Sequence, residues 1–324
     1  MNSFGRIFRI SIFGESHGPM VGIIIDGSPA GIELKEADFG HDLQRRKAGA
    51  AGTTPRTEED RPKIVSGVFN DKTTGAPITI LFENTNTRSA DYDAVKDTPR
   101  PGHADFVLHE KFHGFNDHRG GGHSSGRLTL ALVAAGIVAK KVLGNVSIKA
   151  ELTEAGGDTD IEAAIQKAVD MQDSIGGIVT CRVNGLPVGW GAPFFDSAES
   201  YIAHLAFSIP AIKGVEFGAG FSGTKMTGSQ HNDAILDEKG TTKTNYAGGI
   251  NGGITNGNEL VFRIAVKPTS STPQQQQTWN RARGKVEEFT VKGRHDLCIA
   301  LRVPVVAESV AAIALADLSL LHRP

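Results

Sequence analysis

The segment GESHG at residues 14–18 places a hydroxyl and an imidazole between two glycines. It follows the apolar-rich run RIFRISIF, whose composition is typical of a strand. Gly14 and Gly18 can adopt backbone conformations that other residues avoid, so the loop could fold closely around a ligand. Ser16 could then donate a hydrogen bond, and His17 could exchange a proton near neutral pH. The alternative interpretation is an ordinary turn with a solvated histidine.

A second glycine-rich segment, RGGGHSSGR at residues 119–127, leads directly into a long apolar run. That run predicts a helix, whose free N–H groups and partial positive charge would attract an anion. The two arginines at the ends of the segment would add positive charge. Ser124 or Ser125 could instead cap the helix, and the two roles are compatible. We therefore predict a helix start that binds an anionic group.

Cations and hydroxyls cluster in three further segments. Three cations, residues 45–47, end the segment DLQRRK, and Arg56 follows in TTPR. This pattern indicates either a solvated helix end or a site for an anionic substrate. The segment KPTSS at 267–271 follows a predicted strand and could hold a phosphate, although a plain Pro/Ser turn is the alternative. The segment KGRHD at 292–296 brings four ionisable residues together beside one glycine.

Two other patterns match known motifs but lack the structural context of those motifs. HEKFH at residues 109–113 matches the H-E-x-x-H pattern of zinc hydrolases, and His118 offers a third ligand. That chemistry requires both histidines on one face of a continuous helix, whereas Gly114 follows at once. GAGFSG at residues 218–223 matches a dinucleotide-binding fingerprint, but no helical pattern follows it. We predict no bound metal.

The composition excludes several classes of protein. The chain has 324 residues, 39% hydrophobic residues and a formal net charge of −2, so no global basic field points to nucleic acid or a membrane surface. Its two cysteines, Cys181 and Cys298, provide no disulfide framework and indicate a reducing, cytoplasmic compartment. The N-terminal segment lacks the long apolar core of a signal peptide. The apolar stretch 303–321 contains two carboxylates, which predicts a buried helix and not a membrane span.

Hydrophobic periodicity and turn residues predict a mixture of strands and helices. The predicted strands are Arg6–Phe13, Val21–Asp26, Lys63–Phe69, Pro77–Phe82, Ile178–Val183, Ile212–Phe217 and Glu259–Val266. The predicted helices are Lys35–Arg46, Arg127–Leu143, Asp160–Met171, Ala198–Phe207 and Pro304–Leu321. The four glutamines at 274–277 are predicted to lie in an exposed loop.

Two segments of the chain resemble each other. GIIIDGSPAGIEL at 22–34 and GIVTCRVNGLPVGWG at 177–191 both run from a predicted strand into a Gly/Pro turn. The similarity indicates two related halves in one body. No Ser- or Pro-rich linker separates the halves, so we expect a single domain over residues 1–324.

Taken together, the motifs resemble the chorismate synthase family, and the resemblance covers essentially the whole chain in order. The matching segments are FGESHG, DGSPAGI, DLQRR with TTPR, ENTNTRSADY, RPGHADF, RGGGHSSGR, SIPAIKGVEFG, GSQHND, YAGGINGGI, KPTSS and KGRHD. The resemblance implies a lyase that makes chorismate by 1,4-elimination of phosphate from 5-O-(1-carboxyvinyl)-3-phosphoshikimate, the last step of the shikimate pathway to aromatic amino acids. It also implies dependence on reduced FMN, an α+β fold with helices sandwiched between two antiparallel sheets, and a homotetramer.

The resemblance also implies roles for individual residues. His17 and His103 resemble the family's two catalytic histidines, of which one serves the departing phosphate and the other the flavin. Asp296 resembles the carboxylate near the flavin N5. Flavin contacts are implied for His123, Ser124, Ser125, Pro210, Ala211, Gly252, Lys267, Pro268, Thr269, Ser270, Ser271 and Arg294. Contacts with the substrate or with NADP are implied for Ser16, Arg46, Arg56 and Arg127.

The chain departs from the family pattern at four places. His123 stands where the family usually has arginine, and Pro210 stands where it commonly has asparagine. The loop Ala48–Gly52 lacks an arginine that the family usually has there and is slightly shorter. Leu297 stands where the family tends to have proline. The first three departures affect expected contacts with flavin, NADP or substrate.

Two alternatives belong to other functional classes. A zinc-dependent hydrolase would use His109, Glu110 and His113, and stoichiometric bound zinc would support it. A non-catalytic phosphate- or flavin-binding module would bind the same ligands without turnover. We see no appended reductase domain in the sequence, so an external flavin reductase is the expected partner that supplies reduced FMN.

Overall fold

The computed structural model describes residues 2–49, 52–53, 58–86, 96–291 and 296–322. The strands are β1 (Ser3–Phe4), β2 (Arg9–Gly14), β3 (Met20–Asp26), β4 (Lys63–Ser66), β5 (Val68–Phe69), β6 (Lys72–Thr73), β7 (Ile78–Glu83), β8 (Ser147–Ala155), β9 (Gly177–Asn184), β10 (Ile212–Phe217), β11 (Ile250–Asn251), β12 (Ile254–Thr255), β13 (Leu260–Val266), β14 (Gln276–Asn280) and β15 (Lys285–Phe289). The helices are α1 (Gly40–Arg46), α2 (Asp105–Lys111), α3 (Thr129–Leu143), α4 (Ile161–Met171), α5 (Ala198–Ala206), α6 (Gly228–His231) and α7 (Pro304–Leu321).

Two antiparallel sheets contain most of the longer strands. The order across the first sheet is β1-β2-β3-β7-β4, and the order across the second is β10-β13-β9-β8. Four strands have the same order in both sheets, β2-β3-β7-β4 in the first and β8-β9-β13-β10 in the second. In each sheet, the first, second, fourth and third of these strands along the chain lie side by side. The two similar sequence segments begin in β3 and β9, which occupy equivalent places. This matching order supports the prediction of two related halves.

Helices α3 and α7 pack against each other between the two sheets. Helix α3 contacts β2 and β3 of the first sheet, and α7 contacts β8 and β9 of the second. Strand β13 shows the side-chain alternation that such layers require, because every second residue is buried: Leu260, Phe262, Ile264 and Val266. The expectation of an α+β fold with helices between antiparallel sheets is confirmed.

The contact between α3 and α7 depends on a glycine. A Cβ atom on Gly136 of α3 would lie 2.4 Å from the Cβ atom and 2.6 Å from the Cα atom of Ser309 on α7. Only a residue without a side chain lets the two helix backbones approach this closely. A glycine inside a helix therefore allows the close contact between one helix of each half.

Replacing Gly136 by alanine should lower the free energy of unfolding by about 1–3 kcal/mol, the usual cost of overpacking a core. Gly40→Ala provides a matched control, because Gly40 begins α1 and has open space around it. That variant should be neutral or slightly stabilising, since alanine favours a helix. Denaturant unfolding of the three proteins measures both effects, and a Gly136→Ala variant as stable as the wild type would contradict this close approach.

Helix α7 is long and apolar enough to cross a membrane, the one such helix in the part of the chain that the structure describes, but 83% of it is buried inside the fold. Its two carboxylates are also buried and fully engaged. Asp317 accepts the backbone N–H groups of residues 6–8 at 2.7–2.9 Å. Glu308 pairs with Arg45 and Lys140. The helix belongs to the core, as predicted.

Two strands of the large sheets differ from the prediction. The predicted strand Arg6–Phe13 is interrupted, because residues 6–8 form a turn on Asp317 before β2 begins. Strand β8 was not predicted at all. Residues 147–152 nevertheless alternate polar and apolar side chains, and the ladder is irregular only after them, between Leu152 and Glu154.

The prediction of an exposed loop at residues 274–277 is wrong for two of the four glutamines. Gln276 and Gln277 are the first residues of β14 and pair with Phe289 and Glu288 of β15. This hairpin contains mostly polar residues, so hydrophobicity did not reveal it. Helix α2 was also not predicted, because its short sequence carries no clear apolar face.

Candidate functional site

Two adjoining cavities lie among the glycine- and serine-rich loops. The smaller has a volume of about 220 Å³ and the larger about 710 Å³. The larger cavity is within the usual range of about 300–1,000 Å³ for small-molecule sites. The residues that line both cavities are Gly120, Ser125, Gly126, Thr129, Ile209, Pro210, Thr269 and Ile299. Ligands in the two cavities would therefore share a wall and lie next to each other.

Charged side chains dominate the smaller cavity. Its cations are Arg46, Lys47, Arg100, Arg127 and Arg302. Its carboxylates are Glu58, Asp60 and Asp296. The described lining thus has an excess of positive charge, and arginine binds phosphate and carboxylate groups through two hydrogen bonds at once. The smaller cavity suits a ligand that carries several negative charges.

Asp60 holds two of these arginines in place. Its carboxylate accepts a hydrogen bond from Nη2 of Arg46 at 2.9 Å and another from Nη1 of Arg127 at 2.6 Å. Burial acts to raise the pKa of Asp60, but attraction to Arg46 and Arg127 outweighs it, so the pKa is lowered and the carboxylate stays ionised. Burial also lowers the pKa of Arg46 to about 10, which leaves it protonated at neutral pH.

Three buried polar atoms in the lining of the smaller cavity have no hydrogen-bond partner within the ranges described. They are Oγ of Ser16, Nε of Arg46 and Oγ1 of Thr269. Buried polar atoms in folded proteins are nearly always paired. These three atoms therefore mark positions where a polar ligand would complete the hydrogen bonding.

The larger cavity has one polar wall and one apolar wall. On the polar wall, Nζ of Lys267 donates to Oγ of Ser270 and to the carbonyl oxygen of Gly102, both at 2.7 Å. Burial, with a smaller contribution from Lys213, lowers the pKa of Lys267. The apolar wall includes Ile10, Ile12, Leu132, Leu205 and Ile212. This combination suits a flat, partly apolar ligand with an anionic group at one end.

The glycines of RGGGHSSGR separate the two histidines singled out from the sequence. Gly120, Gly121 and Gly122 have φ angles of 59°, 82° and 54°, a region that favours glycine. A Cβ atom on Gly120 would lie 2.3 Å from both Cε1 and Nδ1 of His17. One on Gly121 would lie 3.4 Å from Cε1 of His103. The segment therefore passes between the two imidazoles, and any side chain at Gly120 would displace the ring of His17.

The start of the helical region after this segment is capped by a serine and borders the larger cavity. Ser125 caps it, because its hydroxyl accepts the backbone N–H of Arg127. His123 and Ser124 line the larger cavity. Nδ1 of His123 lies 2.7 Å from the carbonyl oxygen of Gly14 and must donate to it, since a carbonyl only accepts. The free nitrogen of His123 is therefore Nε2.

Most residues singled out from the sequence meet at these cavities. Those that line the larger cavity are His103, His123, Ser124, Ser125, Pro210, Ala211, Lys267, Pro268, Thr269, Ser270 and Ser271. Those that line the smaller cavity include Ser16, Arg46, Arg127 and Asp296. The two sets come from distant parts of the chain, which only the fold brings together.

Four of the residues singled out do not line a cavity in the described structure. His17 lines neither cavity but packs against Gly120, which lines both. Gly252 lies in the turn between β11 and β12, and neither cavity includes it. Arg56 and Arg294 lie outside the described residues.

Sequence reasoning missed Asp60 and Arg302. Nη1 of Arg302 lies 3.1 Å from Oδ2 of Asp296, and its Nε donates to the carbonyl oxygen of Arg46 at 2.9 Å. Arg302 thus joins the segment that carries Asp296 to the cationic wall. Asp60 belongs to the charged run TEEDRP, which has the composition of a solvated loop, so no local signal marks it as buried.

The HEKFH segment does not form the arrangement that a zinc hydrolase needs. Helix α2 ends at Lys111, and His113 lies beyond it with a φ angle of 52°. The two histidines are therefore not on one continuous helix. In the ranges that the structure covers, no group of three or more His, Cys, Asp or Glu side chains could hold a metal ion. The GAGFSG segment enters a 3₁₀ turn at Gly220–Lys225 and not an α-helix.

Comparisons with known proteins show the family of this chain. The family model described as chorismate synthase matches residues 8–320. A chorismate synthase from Chitinophaga pinensis is 67% identical over 324 residues, which cover 100% of this chain and 98% of that protein. One from Methanosarcina mazei is 43% identical over 348 residues, 98% of this chain and 95% of that protein. A crystal structure of chorismate synthase superposes with a TM-score of 0.76 at 26% identity, covering 98% of this chain and 93% of the other. The chain belongs to the chorismate synthase family.

Proposed function

We propose that this lyase makes chorismate by 1,4-elimination of phosphate from 5-O-(1-carboxyvinyl)-3-phosphoshikimate, with reduced FMN in the larger cavity. The proposal rests on one observation above all. A cationic cavity with unpaired buried donors adjoins a larger cavity with a hydroxyl-rich wall, and both border the glycine segment between two histidines. The reaction is the last step of the shikimate pathway to aromatic amino acids.

The smaller cavity fits the substrate by charge. The substrate carries one phosphate and two carboxylates, and the cationic lining offers guanidinium groups for each. Oγ of Ser16 and Nε of Arg46 are buried donors without partners within the described ranges, so they are available to anionic oxygens. Asp60 keeps Arg46 and Arg127 aligned, which lowers the cost of ordering their side chains when the substrate binds.

The larger cavity fits FMN. Its apolar wall suits an aromatic ring system, and Lys267 with the hydroxyls of 267–271 suits a phosphate group. The unpaired Oγ1 of Thr269 lies where the two cavities meet. Reduced FMN, when bound, supplies electron density while the allylic C–O bond of the substrate breaks. The protein residues bind it, exclude water and keep it beside the substrate.

The two histidines divide the proton transfers between the cavities. His17 follows Ser16, which lines the smaller cavity, so we assign to His17 the proton that the departing phosphate takes up. His103 lines the larger cavity, and we assign it to the flavin. Asp296 lines the smaller cavity beside Arg302, and the role that we propose for it beside the flavin follows from the family resemblance.

An anaerobic assay tests the proposal. Purified protein with chemically reduced FMN and 5-O-(1-carboxyvinyl)-3-phosphoshikimate should release chorismate and inorganic phosphate in equal amounts. Binding of both ligands without any chorismate would contradict the proposed reaction and favour a non-catalytic binding module. Calorimetric titration of FMN with and without substrate provides the binding data, and tighter flavin binding in the presence of substrate is the expected result. A parallel titration with NADP tests the contact implied for Arg46.

The pH dependence of flavin binding should depend on His123. Because Nδ1–H is donated to Gly14, a neutral ring offers an anion only the lone pair of Nε2, whereas a protonated ring offers an N–H donor. The affinity of the wild type for FMN, relative to that of His123→Arg at the same pH, should therefore rise as the pH falls from about 8.5 to about 5.5. His123→Arg should bind at least as tightly at the alkaline end, with a smaller dependence on pH. FMN changes its own protonation state in the same way in both experiments. Parallel curves of affinity against pH for wild type and His123→Arg would therefore mean that His123 does not contact the phosphate of FMN.

We also propose a cytoplasmic homotetramer that receives reduced FMN from a separate flavin reductase. Large apolar side chains are exposed in the second half of the chain, as expected of surfaces that an assembly covers: Val188, Phe194, Phe195, Ile235 and Leu236. Both cysteines are buried free thiols, which suits a reducing compartment. Light scattering of the purified protein measures the assembly, and a monomer would contradict this part of the proposal.

A further inference from the structure

His103 is held by a buried carboxylate. Nδ1 of His103 lies 2.7 Å from Oδ1 of Asp105, the first residue of α2. A carboxylate can only accept, so Nδ1 carries the hydrogen in this contact. Nη2 of Arg100 lies 3.1 Å from Nδ1 and 2.8 Å from Oδ1 of Asp105, and its two hydrogens can reach both atoms. The shorter contact of Nδ1 with the ionised carboxylate favours the ring that is protonated at Nδ1. Nε2 of the neutral ring is then left without a hydrogen.

Arg100 fixes the carboxylate in turn. Its Nε donates to Oδ2 of Asp105 at 2.7 Å, and its backbone N–H donates to the same oxygen at 3.1 Å. Burial acts to raise the pKa of Asp105, but hydrogen bonds from Arg100 and His103 outweigh it, so the pKa lies well below its usual value. Asp105 is therefore ionised under all conditions in which the enzyme works.

The same arginine reaches the wall of the larger cavity. Nη1 of Arg100 donates to Oγ of Ser271 at 3.0 Å. On the other side, the ring of His103 packs against the glycine segment, because a Cβ atom on Gly121 would lie 3.6 Å from Nε2. The free nitrogen of His103 is thus directed away from Asp105 and toward the segment that separates the two histidines.

We propose that Asp105 is a positioning residue for His103: its carboxylate, fixed by Arg100, holds Nδ1–H inward so that Nε2 accepts a proton at the site. The proposal rests on the proposed function for the role of His103, but the arrangement of the ring can be tested without turnover. A histidine oriented by a buried carboxylate is a general way to select one tautomer and stabilise the protonated ring. Lys267 is the other cation near this loop, through its bond to the carbonyl of Gly102.

Asp105→Asn should reverse the tautomer with little change in shape. Oδ2 accepts two hydrogen bonds from Arg100, so the amide oxygen should take that position. The amide NH₂ should then take the Oδ1 position facing His103, with loss of the bond from Nη2 of Arg100. Nδ1 would then accept, and Nε2 would carry the hydrogen. The rate of chorismate formation should fall by about 10²- to 10⁴-fold, the range for loss of correct general acid–base chemistry, while FMN affinity and substrate KM stay near the wild-type values.

Asp42→Asn is the matched control. Asp42 has the same exposed fraction as Asp105, 8%, and also pairs with two cations, Arg45 and Lys140. Neither of these cations lines a cavity, whereas both partners of Asp105 do. Its replacement should leave the rate unchanged. A fall in rate equal to that of Asp105→Asn would show that loss of any buried carboxylate disables the enzyme, and would overturn the proposal.

The decisive measurement is the ¹⁵N NMR spectrum of protein labelled in the histidine rings, with His103 assigned from a His103→Gln sample. In the wild-type protein, neutral His103 should be protonated at Nδ1, and in Asp105→Asn at Nε2. A wild-type ring protonated at Nε2 overturns the proposal even if the variant does not fold. A slow variant with an unchanged His103 spectrum also overturns it, because Asp105 would then act by another route. If the wild-type protein does not make chorismate, the proposed function is contradicted. The histidine spectrum then still tests whether Asp105 orients the ring of His103.

Discussion

Replacing His17 or His103 by alanine should lower the rate of chorismate formation by about 10²- to 10⁴-fold, the usual range for loss of a general acid or base. The glycine segment holds one ring against Gly120 and the other against Gly121, at the boundary between the two cavities. Loss of either imidazole removes the group that would exchange a proton with the departing phosphate or the flavin. The rate is measured under anaerobic conditions with reduced FMN.

Both variants should keep the fold, because neither ring belongs to the cluster of buried apolar side chains that forms the core. Their circular dichroism spectra should match that of the wild type. His109→Ala and His113→Ala serve as controls with the same chemical change outside the cavities, and they should retain nearly full activity. Equal losses of activity in the two pairs of variants would contradict the assignment of the site to His17 and His103 and would favour a role for the HEKFH segment in the reaction.

The sequence predicted the fold well wherever hydrophobic periodicity was regular. Strands β3, β10 and β13 and helix α7 lie within one residue of their predicted limits, because buried strands and helices show strong apolar patterns. The pattern failed where tertiary contacts change the backbone locally. Asp317 turns residues 6–8 out of a predicted strand, and nothing in the surrounding residues indicates this turn. Strand β8, by contrast, shows the two-residue period over residues 147–152 and was overlooked.

Prediction of the site depended on the type of residue. Glycines, serines and histidines in unusual clusters identified the loops around His17, Ser125 and Thr269, which the fold brings to two adjoining cavities. Asp60 and Asp105 escaped notice, because an acidic residue in a polar run is usually solvated. Burial is decided by the packing of distant segments, so a local pattern does not reveal which carboxylates orient an arginine or a histidine.

The charged run at residues 45–47 shows that a local pattern also does not reveal which cations face a site. By composition alone, all three cations are equally plausible contacts for an anionic substrate, and only the family resemblance singles out Arg46. In the structure, Arg46 and Lys47 line the smaller cavity, whereas Arg45 points to Glu308 in the core helix α7. Adjacent residues of one helix face different directions, and only the position of α7 decides which of them meets a carboxylate.

Glu308→Ala should lower the free energy of unfolding by about 3–5 kcal/mol, the usual cost of removing one partner of a buried ion pair. Glu308 accepts two hydrogen bonds from Arg45, at 2.7 and 2.8 Å, and one from Lys140 at 3.0 Å. It also accepts the backbone N–H of Ala150 in β8 at 3.0 Å. These contacts join α1 and α3 of the first half to α7 and β8 of the second. Without the carboxylate, Arg45 and Lys140 keep only Asp42 as a buried partner among the described residues.

The pH dependence of this effect has a definite sign. Burial acts to raise the pKa of Glu308, but the hydrogen bonds and charges of Arg45 and Lys140 outweigh it and lower the pKa below its ordinary value of 4.5. A carboxylate whose pKa is depressed by folding contributes stability that is fully present above the unfolded-state pKa and is lost as the pH falls through the folded-state value. The stability difference between wild type and Glu308→Gln should therefore be largest near neutral pH and should shrink below about pH 4.

Urea unfolding from about pH 7 to about pH 3, at one fixed protein concentration because assembly would shift apparent stability, measures this difference. Glu259→Gln is the control, since Glu259 pairs with Arg182 at the surface and exposed ion pairs contribute little. A Glu308→Gln variant that loses the same stability at every pH would show that packing and not charge accounts for the loss. The observed network predicts a stability difference that becomes smaller at low pH. Protonation of Glu308 in the wild type then removes the same charge that the substitution removes.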